Sequence, residues 1–290
     1  MKASEKQDLT KKLVSRLEKS FGRPPDVPDR SVLDTLVYAV CLENDSHAAA
    51  ERSYAALHEH FHDLNEIRVS SITELTPAFE HQSDPQLRAH RVRSILQFVF
   101  EDQFEFDLEA IRKKTQEQAA KKFGKIRDLS PFVRNYVQQA ALGAHLVPMD
   151  DRMTAVAIWL GVMEPGTSTE AAADVLKPAV RKADGPGFCH VLRSLATEPP
   201  GRKLFDPATF SVPEEGYSAT DALTRVDNLL RGKGRAAAAT TKAAGKSDRT
   251  DKKPAKAAKR PATKKAAAAD GASKRAATAK KSKSRSRAAS

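Results

Sequence analysis

The stretch Val133–Val156, VRNYVQQAALGAHLVPMDDRMTAV, decides how this chain is read. With LSPF ahead of it, the first half has the apolar spacing of an amphipathic helix. Pro131 falls in the first turn, where a missing N–H costs nothing. Gly143 closes that helix, and Asp150 opens the next, DDRMTAVAIWLGV, as an N-cap residue. Two helices joined by a short link are therefore expected here. Working outward, Leu9, Leu13, Val14, Leu17 and Phe21 recur at helical spacing until Pro24-Pro25 stops them. SVLDTLVYAVCL, capped by Asp29 or Ser31, is apolar nearly all round and is expected at the centre of a core. SHAAAERSYAALHEHF follows, with Ser46 as its cap. Short amphipathic pieces come next near 64–69, 71–79 and 84–100, then DLEAIRKK and TQEQAAKKF. After residue 162, STEAAADVLKPAVRKA, PGFCHVLRSLAT and DALTRVDNLL are helical, with Pro-rich irregular chain over 198–215. Almost nothing alternates with the period of a strand, so the fold class is all-α.

The last sixty residues differ in kind. Residues 231–290 hold 20 Lys or Arg, 20 Ala and three acids, with no aromatic, Leu, Ile, Val or Met. That arm carries +17, while residues 1–230 hold 29 basic residues against 34 acids and carry −5. A segment with no apolar side chain larger than Ala cannot offset its ordering entropy, and a disordered tail is expected. Its charge suits neutralisation of phosphates with release of their counterions. The residues assigned to DNA here are Lys252, Lys253, Lys256, Lys259, Arg260, Lys264, Lys265, Lys274, Arg275, Lys280 and Lys281. KKPAKAAKRPATKKAAAA resembles linker-histone arms, which also serve as nonspecific tethers.

No run of some 18 uncharged apolar residues exists, so no membrane partner is expected. The N-terminal MKASEKQDLTKKL lacks the apolar stretch of a secretory signal. Cys41 and Cys189 both sit in helical apolar patterns, which suits buried thiols in a reducing compartment. These features point to a cytoplasmic, nucleoid-associated protein, or a nuclear one in a nucleated cell. Oligomeric state is not legible.

The stretch from about Leu33 to Val162 resembles the endonuclease III branch of the helix-hairpin-helix DNA glycosylases. Val133–Val156 carries the best local match: a helix after the hairpin, Gly143, a short link, and Asp150 opening the next helix. LDTLVYAVCLENDSHAAAERSYAAL is similar to the family's early helix pair, and Asn44 lies near the position of a Gln inserted into DNA. GFCHVLRSLA is similar to the helix ahead of the family's cluster loop. The resemblance implies two helical lobes, one barrel-like over about 28–132, the other built from 1–22 and 133–230. DNA would lie in the cleft between them. Asn44, Ser130 and Arg134 are the body residues expected at DNA.

Three departures limit the chemistry. The family's glycine-bearing hairpin reads IRDLSPF here, without glycine, although Ser130 can still cap the following helix. No lysine occurs from Ile126 to Leu176, and Phe132 falls at the nucleophile position. A Schiff-base lyase needs an amine there, so no lyase reaction is expected by that route. TEPPGRKLF holds none of the four cysteines that bind an iron–sulfur cluster, and no cofactor is expected.

Asp150 remains the candidate catalytic residue. In superfamily members without the lysine, the matching Asp stabilises an oxocarbenium-like sugar and activates water. It also reads as an ordinary N-cap, and the sequence leaves both open. The His58 and His62 pair in HEHFH reads as an exposed helix end and not as a metal site. Trp159, Phe98, Phe100, Phe104 and Phe106 read as core. Tyr38 and Tyr136 are the aromatics to inspect for a flipped-base pocket. Cys189 and His190 read as packing. Three functions stay open: a monofunctional DNA N-glycosylase using Asp150, a catalytically silent DNA-binding relative, and a protein-interaction module with a DNA tether.

Overall fold

Ser31, Ser46, Thr115, Ser130 and Asp150 each stand just before an apolar helical run, and each accepts a hydrogen bond from the backbone N–H three residues on. Those caps satisfy donors that helix starts leave unpaired, and they set where the helices begin. The computed structural model describes residues 3–25 and 29–243. The tail residues assigned to DNA, Lys252 to Lys281, lie outside the described residues.

Among the described residues every regular element is helical. In chain order they are α1 (Ala3–Phe21), α2 (Val32–Leu42), α3 (His47–His60), α4 (Leu64–Val69), α5 (Ile72–Leu75), α6 (Pro85–Gln103), α7 (Gln116–Phe123), α8 (Pro131–Ala140), α9 (Asp151–Trp159), α10 (Thr169–Leu176), α11 (Gly185–Thr197), α12 (Gly201–Leu204) and α13 (Ala222–Ala243). Short 3-10 turns complete them, one of which, Glu109–Lys113, replaces the helix expected over DLEAIRKK. The short helix α12 interrupts the stretch expected to be irregular. Helix α13 runs on to Ala243. Ala236–Ala239 explain this, because alanine has the strongest helix propensity.

The apolar faces make two cores. The first gathers Leu36, Leu57, Phe79, Ile95, Phe123 and Phe132 from α2, α3 and the helices through α8. Helix α2 lies at its centre, buried at every position except Asp34. The second gathers Leu17, Met153, Trp159, Leu195, Phe205 and Val226 from α1, α9, α11, the α12 turn and α13. Val133 and Val137 pack in the first core, so α8 belongs there and not to the second lobe as the sequence suggested. Phe104 also departs from its expected core role: it ends α6 in a left-handed conformation and is 77% exposed. Gly143 and Gly161 take positive φ at the ends of α8 and α9. A Cβ on Gly161 would stand 2.4 Å from the Tyr217 carbonyl, so glycine there lets the α13 approach pack on α9.

Candidate nucleic-acid interface and interlobe pocket

The IRDLSPF link between α7 and α8, which the resemblance matched to a hairpin, turns without glycine because Asp128 takes the left-handed conformation, with φ 57°. A short polar side chain tolerates that region better than most. The substitution has an electrostatic consequence: Asp128, bonded to His90 at 2.9 Å, brings a carboxylate to a loop that the resemblance assigned to phosphate. Ser130 is 8% exposed, and its hydroxyl accepts from Val133 N (3.2 Å). Arg134 pairs with Glu170 across α8 and α10 at 3.1 Å. Phe132, which the resemblance matched to a nucleophile position, is 1% exposed inside the first core.

Asp150 lies where the two lobes meet, and its carboxylate is enclosed. Oδ1 accepts from Met153 N at 2.9 Å. Oδ2 accepts from Asn44 N (3.0 Å) and from Arg193 Nη1 (3.0 Å). The two charged side chains are 1% and 3% exposed. Arg193 also donates to the carbonyls of Leu42 (2.7 Å) and Asp45 (3.1 Å). A second buried arginine, Arg88, donates to Val40, Cys41 and Glu43 carbonyls and pairs with Asp45 at 3.0 Å. The carbonyls at the end of α2 thus face two guanidinium groups, which satisfies unpaired acceptors at the negative end of the helix dipole. Asn44, in the left-handed conformation, follows from this. Its side chain bridges Asp151 (3.3 Å) and Arg152 N (3.2 Å), tying the α2–α3 turn to the start of α9.

Sequence reasoning missed Arg88 and Arg193. The available signal was an arginine inside an apolar helical run, as in FCHVLRSLAT, where a long cation reaches water only by crossing the core.

Behind Arg193 opens a pocket of about 390 Å³. It brings together Tyr38, Tyr136, His47, Cys189, His190 and Arg193, with Pro24, Pro25, Pro148 and Pro186 among its apolar walls. Tyr38 and Tyr136, the two aromatics singled out in the sequence, stand with ring centres 6.4 Å apart. Cys189 and His190 line the same space instead of serving packing alone. Arg30 lies 3.9 Å over the Tyr38 ring and pairs with Glu51 at 2.8 Å, so the pocket's one wall carboxylate already has a counter-charge. Both cysteines are free, and burial pushes each thiol up to about 12. Burial pushes the His47 imidazole down to about 3, with Arg193, His190 and Arg30 adding to the effect; burial likewise lowers His190.

These neutral imidazoles set a pH dependence. An unfolded histidine takes up its proton near pH 6.5, whereas folded His47 stays neutral to about 3. The unfolded chain then binds more protons across that window, so stability falls as pH drops below about 6.5. Burial raises Glu43 and Asp45, which act in the opposite sense, so the comparison must be between variants. His47→Gln is expected to remove up to about 1.4 kcal/mol per pH unit of the wild-type slope between about pH 6 and 4. Urea denaturation at both pH values checks this, and equal slopes would refute it.

An iron–sulfur cluster does not fit these residues. It needs four thiolates, and the chain has two, each buried in a different helix. Among the described residues no helix is long and apolar enough to cross a membrane.

No protein-family model matches the sequence, and neither does any curated protein sequence. Solved structures do. A trapped covalent intermediate of endonuclease III with DNA, an estranged-adenine complex, aligns with a TM-score of 0.51 at 14% identity, over 65% of this chain and 85% of that one. A non-covalent endonuclease III–DNA complex gives the same values. A thermostable thymine-DNA glycosylase aligns over 69% of this chain and 92% of its own, at 12% identity and a TM-score of 0.49. With its two helical cores and Asp150 at their junction, the chain has the all-helical fold of endonuclease III.

Proposed function

We propose that this chain is a DNA-binding protein built on the base-excision-repair glycosylase fold, in which Asp150 ties the lobes together and does not activate water. The observation that carries this reading is the ion pair between Asp150 and Arg193, closed from solvent on both sides. A general base must reach the proton it abstracts, directly or through one water. Asp150 has two backbone N–H donors and a guanidinium on its oxygens instead. With Phe132 at the position matched to the nucleophile, no amine is available for a lyase step by that route, and no cluster is assigned. DNA as partner is supported by the fold shared with endonuclease III complexes and by the +17 arm over 231–290.

One observation favours a second reading, a monofunctional N-glycosylase. The pocket lined by Tyr38 and Tyr136 falls in the range of small-ligand sites, about 300–1,000 Å³, and offers stacking faces for an extrahelical base. Arg193 stands between that pocket and Asp150, so hydrolysis would require this guanidinium to leave. Duplexes carrying oxidised, alkylated or deaminated bases, incubated with the protein and then treated with hot alkali, separate the two. No strand cleavage above the protein-free control is expected, and borohydride is expected to trap no adduct. Base release by the wild type that disappears in a folded Asp150→Asn variant would establish the second reading.

A further inference from the structure

The link between α7 and α8 gives the body a poor phosphate site, because Asp128 occupies its turn. Another part of the molecule is better furnished. The α2–α3 turn, the first turn of α3, the start of α9 and the loop into α12 enclose a polar concavity of about 40 Å³. That is room for roughly one water-sized or oxyanionic group and far too little for a base. Three arginines line it, Arg52, Arg152 and Arg202, beside Asn44, Asp45, Ser46 and His81.

The charges around the concavity leave an excess of cation. Asp45 also lines it; it pairs with Arg88 at 3.0 Å and lies in the field of Arg152 and Arg202 as well. Asp151 accepts from Asn44, and Asp206 stands 3.8 Å from Arg152 while 43% exposed. Arg152 is held in place, with Nη1 donating to the carbonyls of Arg202 (2.8 Å) and Phe205 (3.4 Å). Arg52 and Arg202 are exposed and form no ion pair among the described residues. Helix α3, fourteen residues long, has no acid in its first turn, so its dipole adds to the positive field. Isolated cations on a body of net −5 would be poor phosphate ligands; arginines lining one concavity, with their fork geometry, are good ones.

We propose that Arg52, Arg152 and Arg202 together grip a backbone phosphate of DNA in the concavity beside the start of α3. This rests on the DNA-binding reading above, and it gives the folded body a phosphate contact of its own, separate from the arm.

The test uses the full chain and a labelled duplex, with binding measured by fluorescence anisotropy across a salt series. Arg52 and Arg202 are exposed, so Arg52→Ala/Arg202→Ala removes two cations without opening a core. The expected result is about tenfold weaker binding at moderate salt, with the slope of log affinity against log salt flatter by about 1. Lys113→Ala/Lys114→Ala, which removes the same charge from an exposed turn, is expected to change affinity less than twofold. Equal losses in the two variants would reduce the effect to net charge and overturn the site. Wild-type binding with an unchanged Arg52/Arg202 variant would overturn it as well, while leaving the DNA-binding reading intact. A wild-type chain that ignores the duplex in dilute buffer would sink that reading and the site with it.

Discussion

Asp150→Ala is expected to lower the free energy of unfolding by about 3–5 kcal/mol, the range for removing one member of a buried ion pair. Three losses coincide. Arg193, 3% exposed, keeps its charge without the carboxylate that balances it. The backbone N–H groups of Asn44 and Met153 lose their acceptor, and each uncompensated buried donor costs about 1–3 kcal/mol. Helix α9 loses its N-cap, worth about 1 kcal/mol. These terms overlap, so the total stays near the range given for the pair. Asp150→Asn keeps the shape and one acceptor, and is expected to cost less. Arg193→Met, made alone and on the Asp150→Asn background, completes a double-mutant cycle with an expected coupling of about 1–3 kcal/mol. Urea denaturation reads all of these. A loss under about 1 kcal/mol for Asp150→Ala would mean that the carboxylate is not a tie between lobes, and its release for chemistry would become the simpler reading.

Cutting the chain after Gly245 is expected to have the largest effect on DNA binding. Residues 1–245 form one compact unit, and the cut spares α13, which ends at Ala243. It removes 16 of the arm's 20 basic residues together with its three acids. If even six phosphates are neutralised by the removed segment, the salt slope flattens by about 5. The same six contacts weaken full-length binding by on the order of a thousandfold between 50 and 200 mM salt, a dependence the truncated chain should lack. Residual binding by the truncated chain is expected to be weak, because residues 1–245 carry a net charge of about −1 and keep only four of the arm's 20 basic residues to neutralise phosphate. Anisotropy titrations of the full and truncated chains over that salt range decide it. Matching slopes would remove the arm from the account of affinity.

Much of the fold was legible because its determinants are local. Apolar spacing of three and four residues placed α2, α3, α7, α8, α9 and α11, and the side chains of Ser31, Ser46, Thr115, Ser130 and Asp150 fixed the starts of the first five from three residues away. Some sequence readings needed local correction. DLEAIRKK closed into a 3-10 turn instead of a helix, and Phe104 turned out of the core at the end of α6. The candidate site was legible only in part. Tyr38 and Tyr136 share a pocket as anticipated, whereas His47, His190 and Arg193 joined them without any motif to announce it.

The sequence by itself determined that this chain is helical, that no lysine occurs from Ile126 to Leu176, and that a strongly cationic arm follows an acidic body. Each of these follows from residue identity or from neighbours one helical turn apart. Only the tertiary structure decided which groups Asp150 meets. Its partners Asn44 and Arg193 lie 106 and 43 residues away, and Arg193 reaches a further 151 residues to Leu42. Whether a carboxylate serves chemistry or structure depends on desolvation and on the counter-charge it meets. Both are properties of packing between distant segments that no local pattern encodes.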